Sequence, residues 1–463
     1  MSDARTDGTQ PMERLTHGGL PPIPEPPESC SPAHVGIAVD VGTTTVVVSV
    51  WAAGTRAMLA TAAEQNRQAR FGSDVISRIA FAAAGDGLSV LHGTIVAQLE
   101  TLFARVLRTA QAAMPRGISP AVTGIVLTGN TAMLSLLCGV PVNGLAAAPF
   151  TPASLFDLTT CWGDVRSGTV VGGRGTKNSL AALAASVIDG GTPVYVPPCV
   201  GAFVGADTVC AMLAAGFPVP GECPAAAPQL LADIGTNSEI ALYVPDTPRL
   251  SSRILCTAAA AGPAFEAANI SCGMGAADGA IDSVSFADGR LRCHVIGGGN
   301  PRGICGSGVV SAVAALREIG WIDQSGAMQK GFIQRDYGTR TVSLAPAVYL
   351  LQQDVRNVQL AKAAVRTGLQ YMLAQSPSLP ALSLAGAFGT NLPLGAAVRI
   401  GLIPSELADR TVPVGNAALA GAAALLFSPL LRQKCTSLAR KSYQINLAAV
   451  PDFQTRFVDA LAL

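Results

Sequence analysis

The sequence predicts an α/β protein made of two related lobes. Apolar runs with the character of strands are followed by runs of helical spacing along most of the chain, and this order is typical of α/β folds. One unusual motif, an apolar run, Asp-x-Gly-Thr and a second apolar run, starts near Gly36 and recurs near Leu230. An internal repeat at a separation of roughly 190 residues indicates two lobes that face each other.

The composition is that of a large globular protein with no basic surface. The 463 residues suffice for two or three packed units, and 49% of them are apolar. Basic and acidic residues nearly cancel, 31 against 30, so nucleic acid is not expected as a partner. The uncharged stretch Thr411–Leu431 contains prolines, and its apolar centre is too short to cross a bilayer. We therefore expect a buried helix there and no membrane contact.

The cysteines are scattered and lack the spacing of a metal site. No two of the eleven lie closer than eleven positions apart, so no iron–sulfur or zinc motif is present in the sequence. The four histidines form no ligand cluster either. We interpret the cysteines as small buried apolar residues of a protein from a reducing, cytoplasmic compartment.

The repeated motif sets the predicted domain organisation. Residues 1–33 hold seven prolines and no apolar run, which predicts a disordered Pro-rich leader and no secretory signal. The first lobe is predicted over 34–225 and the second over 226–410, with a Pro/Ala-rich break at Phe217–Pro228. Residues 411–463 are predicted to form a C-terminal helix and a tail that closes on the lobes.

Periodicity places the principal helices and one further strand. Apolar residues recur with helical spacing over 91–109, and helices are predicted at Ser307–Ile319 and Gln359–Ala374. Lys362 and Arg366 lie one turn apart on the last of these helices, where we expect a solvated face. Leu382–Leu384 is predicted as a strand that leads into a glycine-containing turn.

The first Asp-x-Gly-Thr turn has the chemistry of a phosphate and magnesium site. Gly42 permits a sharp turn, in which consecutive backbone N–H groups form a nest for an anion. The hydroxyl groups of Thr43, Thr44 and Thr45 add donors. Asp40 would repel a phosphate unless a cation lay between them, so the motif predicts Mg²⁺ held by Asp40 through water.

The second turn repeats this arrangement with Asp233, Gly235, Thr236 and Asn237. Two such cradles on opposite lobes would grip the β- and γ-phosphates of ATP, and phosphoryl transfer needs little beyond positioning and charge neutralisation. Asp40 and Asp233 are therefore predicted to be both catalytic and metal-binding. The alternative is a pair of plain polar turns. Other nucleotide motifs are absent from the sequence, which has no Gly-Lys dipeptide and no G-x-G-x-x-G.

Two glycine-containing segments are predicted to complete the nucleotide site. Gly386, Ala387, Phe388 and Gly389 follow a strand, and their backbone could lie against an adenine or ribose; a plain strand–helix turn is the alternative. Gly306 and Ser307 open a helix whose N-terminus attracts an anion, with close helix packing as the alternative. Glu266 is a candidate for positioning the attacking water.

Taken together in order, these motifs resemble one family. Asp40-Val-Gly-Thr-Thr-Thr and Asp233-Ile-Gly-Thr-Asn are similar to the two phosphate motifs of the ASKHA superfamily (actin, sugar kinases and heat-shock chaperones), which has a ribonuclease H-like fold in two lobes with a nucleotide cleft. More narrowly, the chain resembles the ATP-binding domain of the reductive activators of corrinoid enzymes. The segments that carry this resemblance are Arg70–Arg78, Gly129–Met133, Val200–Asp207, Thr257–Ala258, Ala261–Asn269, Cys272–Gly279, Gly303–Gly308, Asp354–Lys362 and Gly386–Gly389.

The resemblance implies a function, with one departure. Members of that family use ATP to return oxidised cob(II)alamin, bound to a corrinoid protein, to cob(I)alamin, and many carry a ferredoxin-like domain with a 2Fe–2S cluster. Here only Cys30 precedes the predicted fold and only Cys435 lies in the tail. The expectation is an ATPase with ATP and Mg²⁺ as ligands, a corrinoid protein of a methyltransferase system as partner, no iron–sulfur cluster in this chain, and either a separate low-potential electron donor or another client. A homodimer is left open.

Two other functions stay open from the sequence. One is a small-molecule kinase of the same fold, which would need a catalytic base facing a substrate pocket. The other is a nucleotide-switched binding module without appreciable turnover.

Overall fold

The structure, a computed structural model, describes residues 31–171, 186–222, 227–248, 250–329 and 340–463. Most of the predicted leader and part of the break at Phe217–Pro228 lie outside these residues. The chain forms two compact units. Unit 1 comprises Met1–Pro224 with Asn416–Gln444, and unit 2 comprises Ala225–Gly415 with Ile445–Leu463. The predicted domain boundaries stay a prediction.

A six-stranded mixed sheet forms the centre of unit 1. Its strands are β1 (His34–Val41), β2 (Thr45–Ala52), β3 (Met58–Gln65), β4 (Ala121–Gly129), β5 (Leu158–Cys161) and β6 (Pro193–Val196). The order is β3-β2-β1-β4-β6-β5. The first three strands form an antiparallel meander, whereas β1, β4 and β6 run parallel. The carboxyl ends of these three parallel strands therefore meet at one edge of the sheet.

Helices cover this sheet. They are α1 (Val75–Ala82), α2 (Gly87–Ala113), α3 (Thr131–Leu137), α4 (Trp162–Ser167), α5 (Ala206–Ala214), α10 (Ala417–Phe427) and α11 (Pro429–Arg440), and a short strand β17 (Ser442–Gln444) follows α11. Helix α10 packs on α5, β1 and β4. It comes close to α5 at Gly421, where a Cβ would lie 2.0 Å from the backbone oxygen of Cys210.

A second mixed sheet forms the centre of unit 2. Its strands in this unit are β7 (Gln229–Ile234), β8 (Ser238–Val244), β9 (Arg253–Ala259), β15 (Ala381–Ala385) and β16 (Thr411–Gly415), in the order β16-β15-β7-β8-β9. Smaller sheets contain β10 (Ala280–Ala287), β11 (Arg290–Val295), β12 (Gly303–Ile304), β13 (Thr341–Ala345) and β14 (Val348–Leu351). The helices are α6 (Gly306–Glu318), α7 (Gln352–Gln375), α8 (Gly386–Asn391), α9 (Leu394–Arg399) and α12 (Phe453–Asp459).

The two principal sheets share one topology. In unit 2, β9, β8 and β7 form an antiparallel meander, and β7, β15 and β16 run parallel. This is the pattern of β3-β2-β1-β4-β6 in unit 1. Each repeated motif occupies the same place, the hairpin from the central strand to its antiparallel neighbour. The duplication predicted from the two Asp-x-Gly-Thr motifs therefore extends to whole sheets.

Each unit has its own apolar core, and the most apolar helices lie within it. Among the described residues, α2 has the length and composition to cross a membrane. Its apolar face, including Leu91, Ile95, Leu99 and Leu102, is buried in the core of unit 1. The predicted buried helix within Thr411–Leu431 is confirmed as α10, nearly all of whose residues are buried.

Helix α7 differs from its prediction in two respects. It begins at Gln352, seven residues before the predicted Gln359. The first turn is polar and therefore lacks the apolar spacing used for the prediction, and it is stabilised by Asp354, whose Oδ2 accepts a hydrogen bond from Leu351 N at 2.8 Å. The solvated face expected at Lys362 is wrong. Lys362 is 1% exposed, and its Nζ donates to the backbone oxygen of Ala462.

Candidate functional site

The first hairpin turn is tightly constrained by its backbone. Gly42 lies between β1 and β2 and donates its N–H to Thr45 O at 3.0 Å. A Cβ at position 42 would lie 2.6 Å from that oxygen, so no larger residue fits without a shift. Asn66 holds the turn from the side: its Nδ2 donates to Gly42 O at 2.9 Å and its backbone N donates to Thr44 O at 2.8 Å.

Two loops at the carboxyl edge of the sheet pack onto this turn. Asn130, which follows β4, caps α3 by accepting from Met133 N at 2.9 Å, and its Nδ2 donates to Thr43 Oγ1 at 3.0 Å. The loop before α5 approaches so closely that a Cβ at Gly205 would lie 2.4 Å from Asn130 Cα. The turn predicted to bind phosphate is thus held in one conformation by neighbouring strands.

Two carboxyl groups lie beside the first turn. Asp40 is partly buried at the end of β1, and Asn416 Nδ2 donates to its Oδ2 at 3.0 Å. Burial raises the pKa of Asp40 to about 6, although this hydrogen bond lowers it. Burial also raises the pKa of Asp207, near the start of α5, and the nearby Asp40 carboxyl raises it further. Two carboxylates in such surroundings can share a proton, or they can hold a cation that offsets their charge.

Four residues beside the first turn were not predicted from the sequence as site residues: Asp207, Asn130, Asn416 and Asn66. Asn130 and Asp207 lie in segments that carried the family resemblance, and each stands next to the start of a helix. A capping signal, Asn before Thr131–Leu137, was readable for Asn130. No local signal marks Asn416, because it is 376 positions from the Asp40 that it contacts.

The second hairpin turn is held by a carboxylate. Glu266 Oε1 accepts from Thr236 N at 3.0 Å, and Thr236 O accepts from Gly262 N at 2.9 Å. Gly235 faces the same side chain, since a Cβ there would lie 3.5 Å from Glu266 Oε1. The other oxygen, Glu266 Oε2, is buried and has no hydrogen-bond partner among the described residues. It remains able to accept a hydrogen bond from water or another donor.

The glycine-containing segment after β15 lies directly against Asp233. Gly386 has φ +92°, and a Cβ there would lie 2.7 Å from Asp233 Oδ1, so glycine is required for both conformation and space. Gly389 packs on Leu384 of β15. Ala387 is described only as part of helix α8.

The start of α6 packs against the segment that follows β15. The rings of Phe265 and Phe388 stack with centroids 4.8 Å apart. A Cβ at Gly306 would lie 1.8 Å from Phe265 O and 3.2 Å from the Phe388 ring. Ser307 is buried beside Cys305, with its Oγ 3.2 Å from the Cys305 Sγ. Because the Phe388 ring is mostly buried against Phe265, little of its surface is accessible to a nucleotide.

The predicted site residues thus gather at the repeated hairpin of each unit. In unit 1 they are Asp40, Gly42, Thr43, Thr44 and Thr45, joined by Asp207. In unit 2 they are Asp233, Gly235, Thr236, Asn237, Glu266, Gly306, Ser307, Gly386, Phe388 and Gly389. Both turns have glycines where a ligand can approach the backbone, and the carboxylates of unit 1 carry a burial cost that a divalent cation would offset. These features fit a Mg²⁺–phosphate ligand, while the roles of single residues remain predictions.

Comparisons with known proteins identify the family of the chain. The family described as the C-terminal domain of RACo, the ASKHA domain, matches residues 227–463, and the RACo middle region matches residues 35–166. A protein of Eubacterium limosum, the corrinoid activation enzyme RamQ, is 31% identical over 441 residues, which are 90% of this chain and 68% of that protein. A Methanosarcina barkeri protein, a [Co(II) methylated amine-specific corrinoid protein] reductase, is 26% identical, over 88% of this chain and 72% of that protein.

A solved structure supports the same assignment. The reductive activator for corrinoid, iron–sulfur protein superposes with a TM-score of 0.78 at 29% identity, covering 94% of this chain and 67% of that one. The predicted α/β fold of the ASKHA type is confirmed. By its fold, its two family matches and its relatives, the chain belongs to the RACo family and contains that family's ASKHA domain.

Proposed function

We propose that this protein is an ATP-dependent reductive activator of a corrinoid protein, with the electron supplied by a separate donor. The observation that carries the proposal is that the residues predicted for phosphate binding gather at both repeated hairpins, in a chain 31% identical to a corrinoid activation enzyme. The proposal includes ATP hydrolysis and dependence on Mg²⁺.

The proposed nucleotide chemistry uses groups already described. The N–H groups of the turns at Gly42 and Gly235 bind phosphate oxygens, and the hydroxyls of Thr43 and Thr236 add donors. Asp40 and Asp233 are the residues that would hold Mg²⁺, each through water. When bound, the cation neutralises phosphate charge.

Two carboxylates are candidates for the attacking water. Glu266 has a buried oxygen without a partner among the described residues, next to the second turn. Asp207 lies beside Asp40, and its raised pKa makes it a better proton acceptor than an ordinary carboxylate.

Coupling to cobalt follows from differential binding. Co(II) that keeps an axial ligand is hard to reduce, because Co(I) prefers to lose that ligand. A protein that binds the ligand-free corrinoid protein more tightly eases the one-electron reduction by its differential affinity. ATP binding and hydrolysis then change the conformation of the activator and release the product. The donor is proposed to be separate because the sequence lacks the cysteine spacing of a cluster.

The test combines this protein, the corrinoid protein encoded beside its gene, a ferredoxin or chemical reductant, ATP and Mg²⁺. We expect the Co(I) absorption band to grow only in the complete mixture, and ADP release to increase when the corrinoid protein is added. Equal rates of Co(I) formation without ATP, or without this protein, would contradict the proposal. ADP formed only with a small hydroxylated acceptor would indicate a kinase, and nucleotide binding without turnover would indicate a switch.

A further inference from the structure

A buried arginine lies close to the first phosphate turn and has no role in the function proposed above. Arg78 is in the short helix α1 and is 0% exposed. Arginine is among the residues least often fully buried without a partner of opposite charge. Its segment, Arg70–Arg78, also carried part of the family resemblance without an assigned chemistry.

The partners of this guanidinium are all neutral. Arg78 Nε donates to Gly72 O at 2.9 Å, and Nη1 donates to the Met133 Sδ at 3.2 Å, a weak acceptor. Nη2 is buried without a hydrogen-bond partner among the described residues. The acidic group that acts on it, Asp74, is exposed and caps α1 through Ser77 N at 2.8 Å.

The charge of Arg78 is therefore poorly compensated. Burial lowers the pKa of Arg78 to about 10, so the group stays protonated at neutral pH. A buried charge without a counter-ion is unfavourable. Such a charge is compatible with folding if a ligand anion compensates it in the working state.

A short series of contacts joins Arg78 to the phosphate turn. The Met133 sulfur that accepts from Arg78 also lies 3.9 Å from Asn66 Nδ2, and that Nδ2 donates to Gly42 O at 2.9 Å. A second connection runs through the backbone of Met133. Met133 N donates to Asn130 Oδ1, and Asn130 Nδ2 donates to Thr43 Oγ1 in the turn. Two side chains in series, those of Met133 and Asn66, link the guanidinium to the turn.

We propose that Arg78 is an electrostatic positioning residue for the phosphates of the bound nucleotide, and that these phosphates supply the negative charge that Arg78 lacks in the free protein. The inference rests on the proposed ATP binding. A charge behind the turn attracts phosphates without touching them, and because it is buried, salt screens it little. It therefore favours ATP and ADP over adenosine.

The test compares Arg78→Met and Arg78→Lys with the parent, by thermal unfolding and by calorimetric titration with Mg²⁺–ATP, Mg²⁺–ADP and adenosine. Methionine removes the charge and keeps much of the volume. We expect Arg78→Met to unfold at the same or a higher temperature without ligand, because an uncompensated charge is gone. Its affinity for ATP should fall about tenfold or more, whereas its affinity for adenosine should not change. The loss of ATP affinity should persist at 0.5 M salt, roughly five times the ionic strength at which surface charges are already screened. Arg78→Lys keeps the charge and should retain most of the ATP affinity.

Arg432→Met is the matched control. Arg432 is partly buried and, like Arg78, has a pKa lowered by burial, but it stacks over Tyr195 and donates to Leu425 O. We expect this variant to bind ATP like the parent.

Each other outcome overturns the inference. An Arg78→Met protein that is less stable than the parent, yet binds ATP with the parent's affinity, would show a purely structural residue. Equal losses for ATP and adenosine would show a general distortion of the site. If the parent itself does not bind ATP, the proposed function fails as well, whereas normal ATP binding by a folded Arg78→Met contradicts the role of Arg78 alone.

Discussion

Single carboxylates decide the chemistry proposed for the two hairpins. Asp40 is held by Asn416 on one oxygen and lies near Asp207, in surroundings that raise its pKa to about 6. Asp233 lies against Gly386 with no space for a side chain at that glycine. Both positions therefore hold a carboxylate in a fixed place beside a turn that can bind phosphate.

We predict that Asp40→Asn and Asp233→Asn each reduce Mg²⁺-dependent ATP hydrolysis by about 100-fold or more, because a preorganised electrostatic contact to the developing charge is lost. Asparagine keeps the shape of the side chain, so we expect both variants to fold. ADP release at saturating ATP and Mg²⁺ measures the effect, and circular dichroism measures the fold.

Asp288→Asn is the control for these variants. The Asp288 side chain is 79% exposed and pairs with the exposed Arg292, and its φ of +52° is one that asparagine adopts readily. This variant should hydrolyse ATP like the parent. Parental turnover by both Asp40→Asn and Asp233→Asn would show that the hairpins are not the site.

At the scale of elements, helix α7 carries an unusual buried polar face. Asp354 accepts from Ser271 N at 2.9 Å, and Gln359 Nε2 donates to Leu461 O at 2.8 Å. Lys362 donates to the backbone of Ala462. The contacts of Gln359 and Lys362 tie the chain segment that follows α12 to α7. Burial, with a smaller effect of Arg366, lowers the pKa of Lys362 from 10.5 to about 8.

We predict that Lys362→Met changes how stability depends on pH. The folded protein disfavours the charged amine, and burying that charge lowers the free energy of unfolding. This destabilisation is complete below pH 8 and disappears as the pH rises to 10.5. The free energy of unfolding of the parent should therefore rise relative to that of Lys362→Met across this range, by up to about 3 kcal/mol. Urea unfolding of both proteins at pH 7.5, 9 and 10.5 measures the difference. A difference that does not vary with pH would contradict the burial of this charge.

At the scale of the whole molecule, the duplicated topology explains which features could be predicted from the sequence. Asp-x-Gly-Thr between two apolar runs is a local pattern, so both hairpins could be predicted from the sequence. The start of α7 was not, because its first turn is polar and lacks apolar periodicity. Asn130 and Asn416 lie 87 and 376 positions from the residues that they hold. Pairs so distant are brought together only by the packing of the fold.

The spacing and burial of the cysteines predict the cofactor content of this chain. We expect the purified chain to carry no iron–sulfur cluster and no flavin. Iron binds thiolates, and burial raises the pKa of Cys138 and Cys199 to about 12, which strongly disfavours their thiolate forms. In the part of the chain that the structure describes, no three His, Cys, Asp or Glu side chains are grouped to hold a metal. To test for a cluster, the protein is incubated anaerobically with iron and sulfide and gel-filtered, and its visible spectrum, iron and sulfide are measured. To test for flavin, the visible spectrum of a sample without this treatment is recorded. Stoichiometric iron that survives chelation would contradict the prediction. It would also indicate that this chain, and not a separate donor, supplies the electron for cobalt reduction.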